Sequence, residues 1–297
     1  MPEYSIVVQY IVTGITIGSV YAMLAMGFNI IYNVTDVINF AQGEFVMLGG
    51  LVMVFMRVSL GLDPLLAFFA TVFTVTFCGI LMDRLAIRPI RQPTVLTLII
   101  ATIACSMLIK GIAMYLWGKD PYDLPAFSGR DPIAFLGAAI QPQALWVVGF
   151  LLVSVVVLTL FFEISIVGKA MKACADNSDA AKLVGINVKR MVMLSFGLSA
   201  SIGALAGIGL TPIALMEYDR GAMLAVKGFA ALILGGLGSF PGAVLGGLLL
   251  GLIESFGAGF ISSGYKDAFA LIVLFMLLIF RPAGLLGNRE IAGIKKF

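Results

Sequence analysis

The sequence of 297 residues contains no histidine and few charged side chains for its length. Histidine is the commonest general base and metal ligand of proteins, so two usual routes to an active site are missing. Charged residues make up 12% of the chain and hydrophobic residues 61%, whereas about 25% of a soluble domain is charged. Because so few polar groups could not cover a soluble protein of this size, the composition predicts a polytopic membrane protein.

Cysteines are also scarce, and the three that occur (Cys78, Cys105 and Cys174) are too far apart for a metal-ligand pattern. We interpret them as small packing residues and expect neither a metal site nor a nucleic-acid partner. The first ten residues, MPEYSIVVQY, contain no lysine or arginine, which argues against a secretory signal peptide. A G-x-S-x-G nucleophile elbow is missing as well, so a membrane-embedded enzyme is disfavoured.

Long apolar segments occupy most of the chain. A helix needs about 20 mostly apolar residues to cross a bilayer. The predicted spans are 8–32, 41–57, 64–83, 94–117, 143–162, 191–213, 222–236, 241–260 and 267–281. The expected fold is therefore all-α, a helical bundle of about eight to nine spans that forms one transmembrane domain over residues 1–297. Glycines at small-xxx-small spacing, such as Gly14 and Gly18, favour close helix packing in it.

The basic residues are unevenly distributed between the loops. Segments 83–93, 163–190 and 281–297 contain three, five and four of them. The other loops together contain five, and these are 57–63, 118–142, 214–221 and 261–266. The positive-inside rule then places the first set in the cytoplasm. Nine crossings fit this arrangement, with the amino terminus outside and the carboxyl terminus inside.

Two polar or glycine-rich segments interrupt the apolar spans. They are NVTDVINFAQGE (33–44) and GGLGSFPG (235–242). Such pairs of interrupted segments are typical of the pathway of a transporter, where free N–H groups suit an anionic ligand. The alternative is a pair of tight turns, with Asn39 as a helix N-cap, Gln42 at the third helical position and Pro241 in a first turn.

Polar residues within the spans mark candidate pathway positions, because an ionisable group at membrane depth is costly. Lys110 and Lys227 lie near span ends, where a lysine can extend its amine to water. Asn29, Glu44 and Glu254 cannot reach so far. With Asn39 and Gln42, they form the predicted translocation set.

A polar island, residues 169–190, separates two apolar spans and reads KAMKACADNSDAAKLVGINVKR. Helix formers at 168–175 predict one short helix there. Asp176, Asn177 or Ser178 can cap a second helix over 179–184, and Gly185 supplies a left-handed stop. Since short helices in water are marginal unless they pack on something, the island is either a docking element or a surface loop held by its own bundle.

The island's DAAKLVG (179–185) resembles the coupling loop of ATP-binding-cassette importer permeases, whose core pattern is acid-Ala-Ala-xxx-Gly. Three blocks resemble the H-type permease of branched-chain amino-acid importers: GITIGSVYAMLAMGFNIIYNVTDVINFAQGEF (14–45), ACADNSDAAKLVGINVKR (173–190) and KGFAALILGGLGSFPGAVLGGLLLGLIES (227–255). Two departures concern docking. Asp179 stands where many importers have glutamate, and no Ile-x-Leu-Pro sequence follows Gly185.

The resemblance implies that Asp179, Ala180, Ala181 and Gly185 couple the membrane domain to ATPase subunits, within a coupling loop over 163–190. The chain lacks a G-x-x-x-x-G-K-[ST] phosphate loop, so no cofactor is expected on it and ATP would be bound by partner subunits. The implied partners are two ATPases, a homologous second permease and an extracytoplasmic substrate-binding protein. The implied location is the prokaryotic plasma (inner) membrane.

Two alternatives remain at this stage. A secondary transporter driven by an ion gradient would also have interrupted helices and carboxylates at membrane depth. Within the importer class, urea or a short amide could replace the amino acid, because related permeases carry such solutes.

Overall fold

The chain folds as a helical bundle, described by a computed structural model for residues 3–91, 94–135, 137–280 and 284–286. The helices in these residues are α1 (Glu3–Thr35), α2 (Gln42–Val54), α3 (Pro64–Met82), α4 (Val95–Trp117), α5 (Pro142–Ile164), α6 (Ile166–Asp176), α7 (Ser178–Leu183), α8 (Val188–Leu210), α9 (Arg220–Gly235), α10 (Phe240–Phe260) and α11 (Lys266–Phe280). Single π-helical turns extend α2 over Phe55–Ser59 and α3 over Asp83–Ile87, and a 3-10 turn, Ser263–Tyr265, precedes α11.

Seven of the described helices are long and apolar enough to cross a membrane: α1 to α5, α8 and α10, with the π-helical turns included. The predicted spans 222–236 and 267–281 correspond to α9 and α11, which have 16 and 15 residues. Helix α9 ends at one face of the bundle, where Leu285 bonds Leu234, and α11 begins near the other face, where Lys266 approaches Glu254. The polytopic all-α architecture is therefore confirmed.

Contacts between helix ends define two faces of the bundle. At the end where α1 begins, Gln9 exchanges hydrogen bonds with Ala139, and the Ser255 hydroxyl of α10 donates to the Tyr10 carbonyl. Backbone bonds also join Tyr122 to Met216 there. The described part of 118–142 and the segments 211–219 and 255–266 thus share this face with the start of α1.

The opposite face gathers the other helix ends. Asn33, near the end of α1, donates to the Gly238 carbonyl, and Arg88 donates to the Lys189 carbonyl at the start of α8. The Leu285 N–H donates to Leu234, near the end of α9. The described part of 83–93 and all of 163–190 lie on this face, so the positive-inside rule predicts that it is cytoplasmic and that the opposite face is the outer one. Most of 281–297 lies outside the described residues.

Glycines bring α1 and α10 into backbone contact at the centre of the bundle. A Cβ atom added to Gly18 would lie 2.9 Å from the Leu248 Cα atom, and one on Gly14 would lie 2.9 Å from the Leu252 Cα atom. No larger residue fits at either position without moving a helix. Because apolar side chains gain little from leaving lipid, such close approach supplies much of the packing energy of the pair.

The outer face carries a short hairpin that the all-α prediction missed. Strands β1 (Ile133–Phe135) and β2 (Ala138–Ile140) pair antiparallel, and Gly137 has φ +81° beside the turn. A positive φ favours glycine, which has no Cβ to clash with the backbone. The hairpin rests on α1 through Gln9, so it is a small anchored element and leaves the fold class unchanged.

Candidate translocation and coupling sites

The first interrupted segment is re-entrant. It turns back at Asp36 (φ +55°) and delivers the chain to Gln42, where α2 begins beside Gly27 of α1. Gly27 precedes Thr35, the end of α1, by eight residues, which is about 12 Å at 1.5 Å per residue. Every residue of α2 is buried, from Gln42 to Val54. Helix α2 therefore begins within the bundle and not at its surface.

Gln42 has a structural partner at each end of its amide. Its Nε2 donates to the Ser199 carbonyl of α8 (3.2 Å), and its Oε1 accepts from the Ser199 hydroxyl (2.5 Å). The same hydroxyl lies 2.7 Å from the Gly27 carbonyl. These bonds join α1, α2 and α8 at one point, so Gln42 holds the re-entrant segment in place.

Asn39 and Glu44 are buried and only partly bonded. Asn39 Oδ1 accepts from the Ala41 N–H, which forms a local turn, while Ala41 occupies the N-cap position of α2 without a side-chain bond. The predicted N-cap role of Asn39 is therefore wrong. Asn39 Nδ2 and Glu44 Oε2 have no hydrogen-bond partner among the described residues, although the two residues are 0% and 1% exposed.

Glu44 lies where the N-termini of α2 and α9 meet. Its Oε1 accepts from Ser106 of α4 (2.9 Å), and a Cβ added to Gly221 in the first turn of α9 would touch its Oε2. Both helix N-termini carry positive partial charge, which favours a carboxylate. This environment explains how Glu44 is tolerated in the bundle, and it leaves one oxygen able to accept a further hydrogen bond.

Helix α4 presents a polar stripe to this region. Thr102 accepts from the Phe40 N–H (3.2 Å), Ser106 donates to Glu44, and the Lys110 ammonium lies 5.5 Å from the centre of the Tyr218 ring. The three residues are spaced by four, so they lie on one side of the helix. The rest of α4 is largely exposed and apolar. The stripe forms one wall of a polar seam beside the re-entrant segment.

The second interrupted segment is a capped turn. The Ser239 hydroxyl accepts from the Gly242 N–H at the start of α10, and Pro241 lies in its first turn. The side-chain amide of Asn29, in α1, makes two hydrogen bonds to this turn. Its Oδ1 accepts from the Gly238 N–H (2.9 Å), and its Nδ2 donates to the Ser239 carbonyl (2.8 Å). The tight-turn interpretation is therefore correct for this segment, and Asn29 fastens it to α1.

Glu254 belongs to a buried ion network. Its Oε1 lies 2.9 Å from the Lys227 ammonium, and its Oε2 accepts from the Tyr21 hydroxyl (2.7 Å). Lys227 also pairs with Asp267 at 2.6 Å, and Lys266 lies 3.4 Å from Glu254. The prediction that Lys227 extends its amine to water is wrong, because its side chain is 6% exposed and neutralised by these carboxylates.

The coupling loop contains the two predicted helices, α6 and α7. Asn177 caps α7, since its Oδ1 accepts from the N–H groups of Asp179 (3.0 Å) and Ala180 (2.9 Å). Gly185 ends the helix with φ +86°. Its N–H bonds the Lys182 carbonyl, and the Ile186 N–H bonds the Ala181 carbonyl, which is the paired arrangement of a Schellman motif. The start and stop of α7 are thus confirmed, with Asn177 as the cap.

The surface of α7 is apolar at its carboxyl end. Leu183 is 89% exposed and Val184 is 77% exposed. Because both lie outside the membrane spans, lipid does not cover them. Ala180 is exposed, whereas Ala181 is buried against the bundle and cannot face a partner. Asp179 accepts a hydrogen bond from the exposed Lys182 ammonium, which holds the pKa of its carboxyl below the ordinary value. The Asp179 carboxyl therefore stays ionised at neutral pH.

Known proteins with similar sequences identify the family of this chain. Residues 10–281 match the family described as branched-chain amino acid transport system / permease component. The chain belongs to this family. It is 34% identical to the high-affinity branched-chain amino acid transport system permease protein BraD of Pseudomonas aeruginosa, over 98% of this chain and 99% of that protein. It is 33% identical to the corresponding permease protein LivH of Escherichia coli K12, over 95% and 96%.

The fold of this permease also resembles a solved structure. A chain of PsaBC from Streptococcus pneumoniae, solved in complex with a Fab, aligns with a TM-score of 0.51 at 12% identity over 95% of this chain and 94% of that chain. The likeness at this identity concerns the fold alone. The family assignment makes the permease a multi-pass inner-membrane protein with a transport role, and a component of a larger system.

Several functional candidates in the permease were not predicted from the sequence. Leu183 and Val184 lie in the predicted helix 179–184 without an assigned role, although apolar residues in so polar an island are a usable signal. Thr102 and Ser106 gave no signal, because single hydroxyls are common in apolar helices. Asp267 and Lys266 lie at a predicted span boundary, where charged residues are expected. Their contact with Glu254 and Lys227 depends on the tertiary fold.

Proposed function

We propose that the chain is the transmembrane permease subunit of an ATP-binding-cassette importer that translocates branched-chain or other hydrophobic amino acids. The observation that carries the proposal is the family match over residues 10–281, supported by relatives of 33–34% identity over nearly their full length. Those relatives are named as permease proteins of branched-chain amino acid transport systems. An extracytoplasmic binding protein would deliver the amino acid to the outer face.

Helix α7 would receive the motion of the ATPase. Its capped start and glycine stop make it a defined element, and its exposed Leu183 and Val184 supply an apolar contact on the cytoplasmic face. Isolated helices as short as α7 are unstable in water, so the packing of Ala181 against the bundle supports it. Asp179, Ala180 and Gly185 would form its outer surface, with Ala181 transmitting motion inward.

The energy source would lie on separate subunits. Two ATPases would bind ATP on the cytoplasmic face, and a second, homologous permease would complete the membrane domain. A family described as one component of a transport system supports such a complex. The same description weighs against an ion-coupled transporter that acts as a single chain. A urea or short-amide substrate remains an outcome of the uptake test below.

The pathway would follow the polar seam between the re-entrant segment and α4. Asn39 and Glu44 carry buried polar atoms that find no partner in the described part of the chain, and a passing ligand could engage them. Asn29 and Gln42 are committed to tertiary hydrogen bonds, so we assign them a supporting role at the edge of the pathway. Glu254 would act from the network near the outer face.

The test uses the complete complex in proteoliposomes, with ATP inside and binding protein outside. Leu183→Asp removes the apolar contact, and Gly185→Val strains the stop of α7 by about 1 kcal/mol or more. We expect both variants to insert normally, to lose co-purifying ATPase, and to lose leucine uptake and ligand-stimulated ATP hydrolysis together.

Asn187→Asp is the matched control. It adds the same negative charge close to α7 at an exposed position that caps α8, and aspartate also caps helices well. It should retain wild-type uptake. Wild-type ATP hydrolysis and uptake in both Leu183→Asp and Gly185→Val would contradict the coupling role. Uptake of urea or acetamide in preference to leucine would show that the substrate is a small amide and not a hydrophobic amino acid.

A further inference from the structure

A cavity of about 340 Å³ opens near the outer face between α1, α8, α9 and the start of α11. Its lining includes Ala214 and Gly264, which belong to segments at that face. A volume in this range accommodates a small molecule. The cavity lies next to the buried pair of Lys227 and Glu254.

Charged groups of both signs surround the cavity. Arg220, Lys227 and Lys266 are the cations of its lining, and their carboxylate partners are Glu217, Glu254 and Asp267. Lys227 and Glu254 neutralise each other in the buried floor. Arg220 lies 3.5 Å from Glu217, longer than an ordinary N–H···O bond, so its guanidinium retains donors for another partner.

The start of α9 contributes positive partial charge beside Arg220. Asp219 occupies the N-cap position but makes no side-chain bond to the first turn. The first N–H groups of a helix have no partner within it and carry positive partial charge. Arg220 is the first residue of α9, so a carboxylate held by its guanidinium would also experience this field.

An acidic group and an apolar wall complete the cavity. Asp267 is 54% exposed and lies on its rim, so it can accept from an ammonium group that enters from outside. The remaining lining is mostly aliphatic, comprising Ile17, Val20, Leu210, Met223 and Leu224. A carboxylate site, an ammonium site and an aliphatic surface in one small cavity correspond to the three parts of a hydrophobic amino acid.

We propose that this outer cavity binds one zwitterionic aliphatic amino acid within the permease itself, before the ligand enters the seam beside α4. Arg220 and Lys266 bind the α-carboxylate, Asp267 binds the α-ammonium, and the wall of Ile17, Val20 and Leu224 contacts the side chain. The inference rests on the proposed function and adds a site on this chain. Recognition is then shared between the permease and the binding protein.

Saturation-transfer NMR on the complex in nanodiscs, without binding protein, tests this site. We expect leucine to bind, with the strongest transfer on its methyl groups, and isovalerate and isoamylamine to bind at least tenfold more weakly. Arg220→Gln should weaken leucine binding at least tenfold by removing the carboxylate partner. Met223→Trp should weaken it similarly by filling the cavity, without changing a charge.

Arg130→Gln is the matched control, because Arg130 is an exposed arginine on the same face that pairs with Asp123. It should bind leucine as the wild type does. Absence of leucine binding by the wild type, or unchanged binding by both Arg220→Gln and Met223→Trp, would overturn the site. Uptake by the complete complex is measured in parallel. Uptake that persists while the site fails would leave the importer function standing.

Discussion

At the scale of single residues, the bundle holds a pair of opposite charges, Lys227 and Glu254, that are buried together. The Lys227 ammonium lies 2.9 Å from Glu254 and 2.6 Å from Asp267, and the Tyr21 hydroxyl completes the shell of Glu254. Removing one member of a buried ion pair leaves an unpaired charge, which typically costs about 3–5 kcal/mol. A substitution of Lys227 alone or of Glu254 alone should therefore destabilise the protein.

We predict that Lys227→Met lowers the free energy of unfolding by about 3–5 kcal/mol, because Glu254 loses its buried counter-ion. The double variant Lys227→Met, Glu254→Gln removes both charges and should regain most of the loss. Thermal unfolding of the purified protein in detergent, followed by circular dichroism, measures both effects. Arg130→Met, which breaks an exposed pair, should change stability by less than about 1 kcal/mol.

An equal unfolding temperature for Lys227→Met and the wild type would mean that the ion pair contributes nothing to stability. The sequence identified Glu254 as a costly buried group, since the hydropathy of its neighbours is visible locally. It could not reveal Lys227 as the partner, which is 27 positions away, or Tyr21, which is 233 positions away. Ion pairs of this kind follow from the tertiary fold and from no local pattern.

At the scale of elements, the two interrupted segments differ in how their polar groups are satisfied. The turn before α10 is capped by Ser239 and bound by Asn29, so its polar atoms have defined partners. In the re-entrant segment, Asn39 Nδ2 has no hydrogen-bond partner within the residues that the structure describes. A buried polar group without a partner typically costs about 1–3 kcal/mol. The first segment therefore retains a cost that a ligand could relieve.

Leucine substitutions should separate the two roles within the re-entrant segment. We predict that Gln42→Leu reduces the amount of folded complex, because α2 loses the two hydrogen bonds that attach it to Ser199 of α8. Asn39→Leu should assemble normally and reduce uptake. Quantitative immunoblotting of the purified complex and leucine uptake per complex measure the two effects. Wild-type uptake by Asn39→Leu would remove Asn39 from the pathway.

An element could be predicted from the sequence when the residues that determine it are close neighbours in the chain. Helix α7 could be predicted with its stop because Asn177 and Gly185 act on neighbouring residues. The depth of α2 could not, because it depends on the contact of Gln42 with Gly27 and Ser199. The burial of Ala181 likewise depends on the bundle beneath α7, and the sequence shows only a small residue.

At the scale of the whole molecule, charge distribution and packing describe the same two faces. Segments rich in basic residues meet at the end where α1 finishes, shown by the Arg88 contact with Lys189. The hairpin and the loop that contains Tyr122 meet at the other end. The sequence could predict this partition because lysine and arginine are counted locally. The cavity between α1, α9 and α11 requires the folded arrangement.

Cysteine labelling from each side of the membrane tests the orientation of the bundle. In a background without Cys78, Cys105 and Cys174, we predict that Ser128→Cys reacts with an impermeant maleimide from outside and Lys169→Cys only from the cytoplasm. Both positions are exposed and lie on opposite faces, and the face with the excess of basic residues is expected inside. Since α7 lies beside Lys169, the same result decides whether cytoplasmic ATPases can reach it. Labelling of Ser128→Cys from the cytoplasm alone would invert the orientation and remove α7 from their reach.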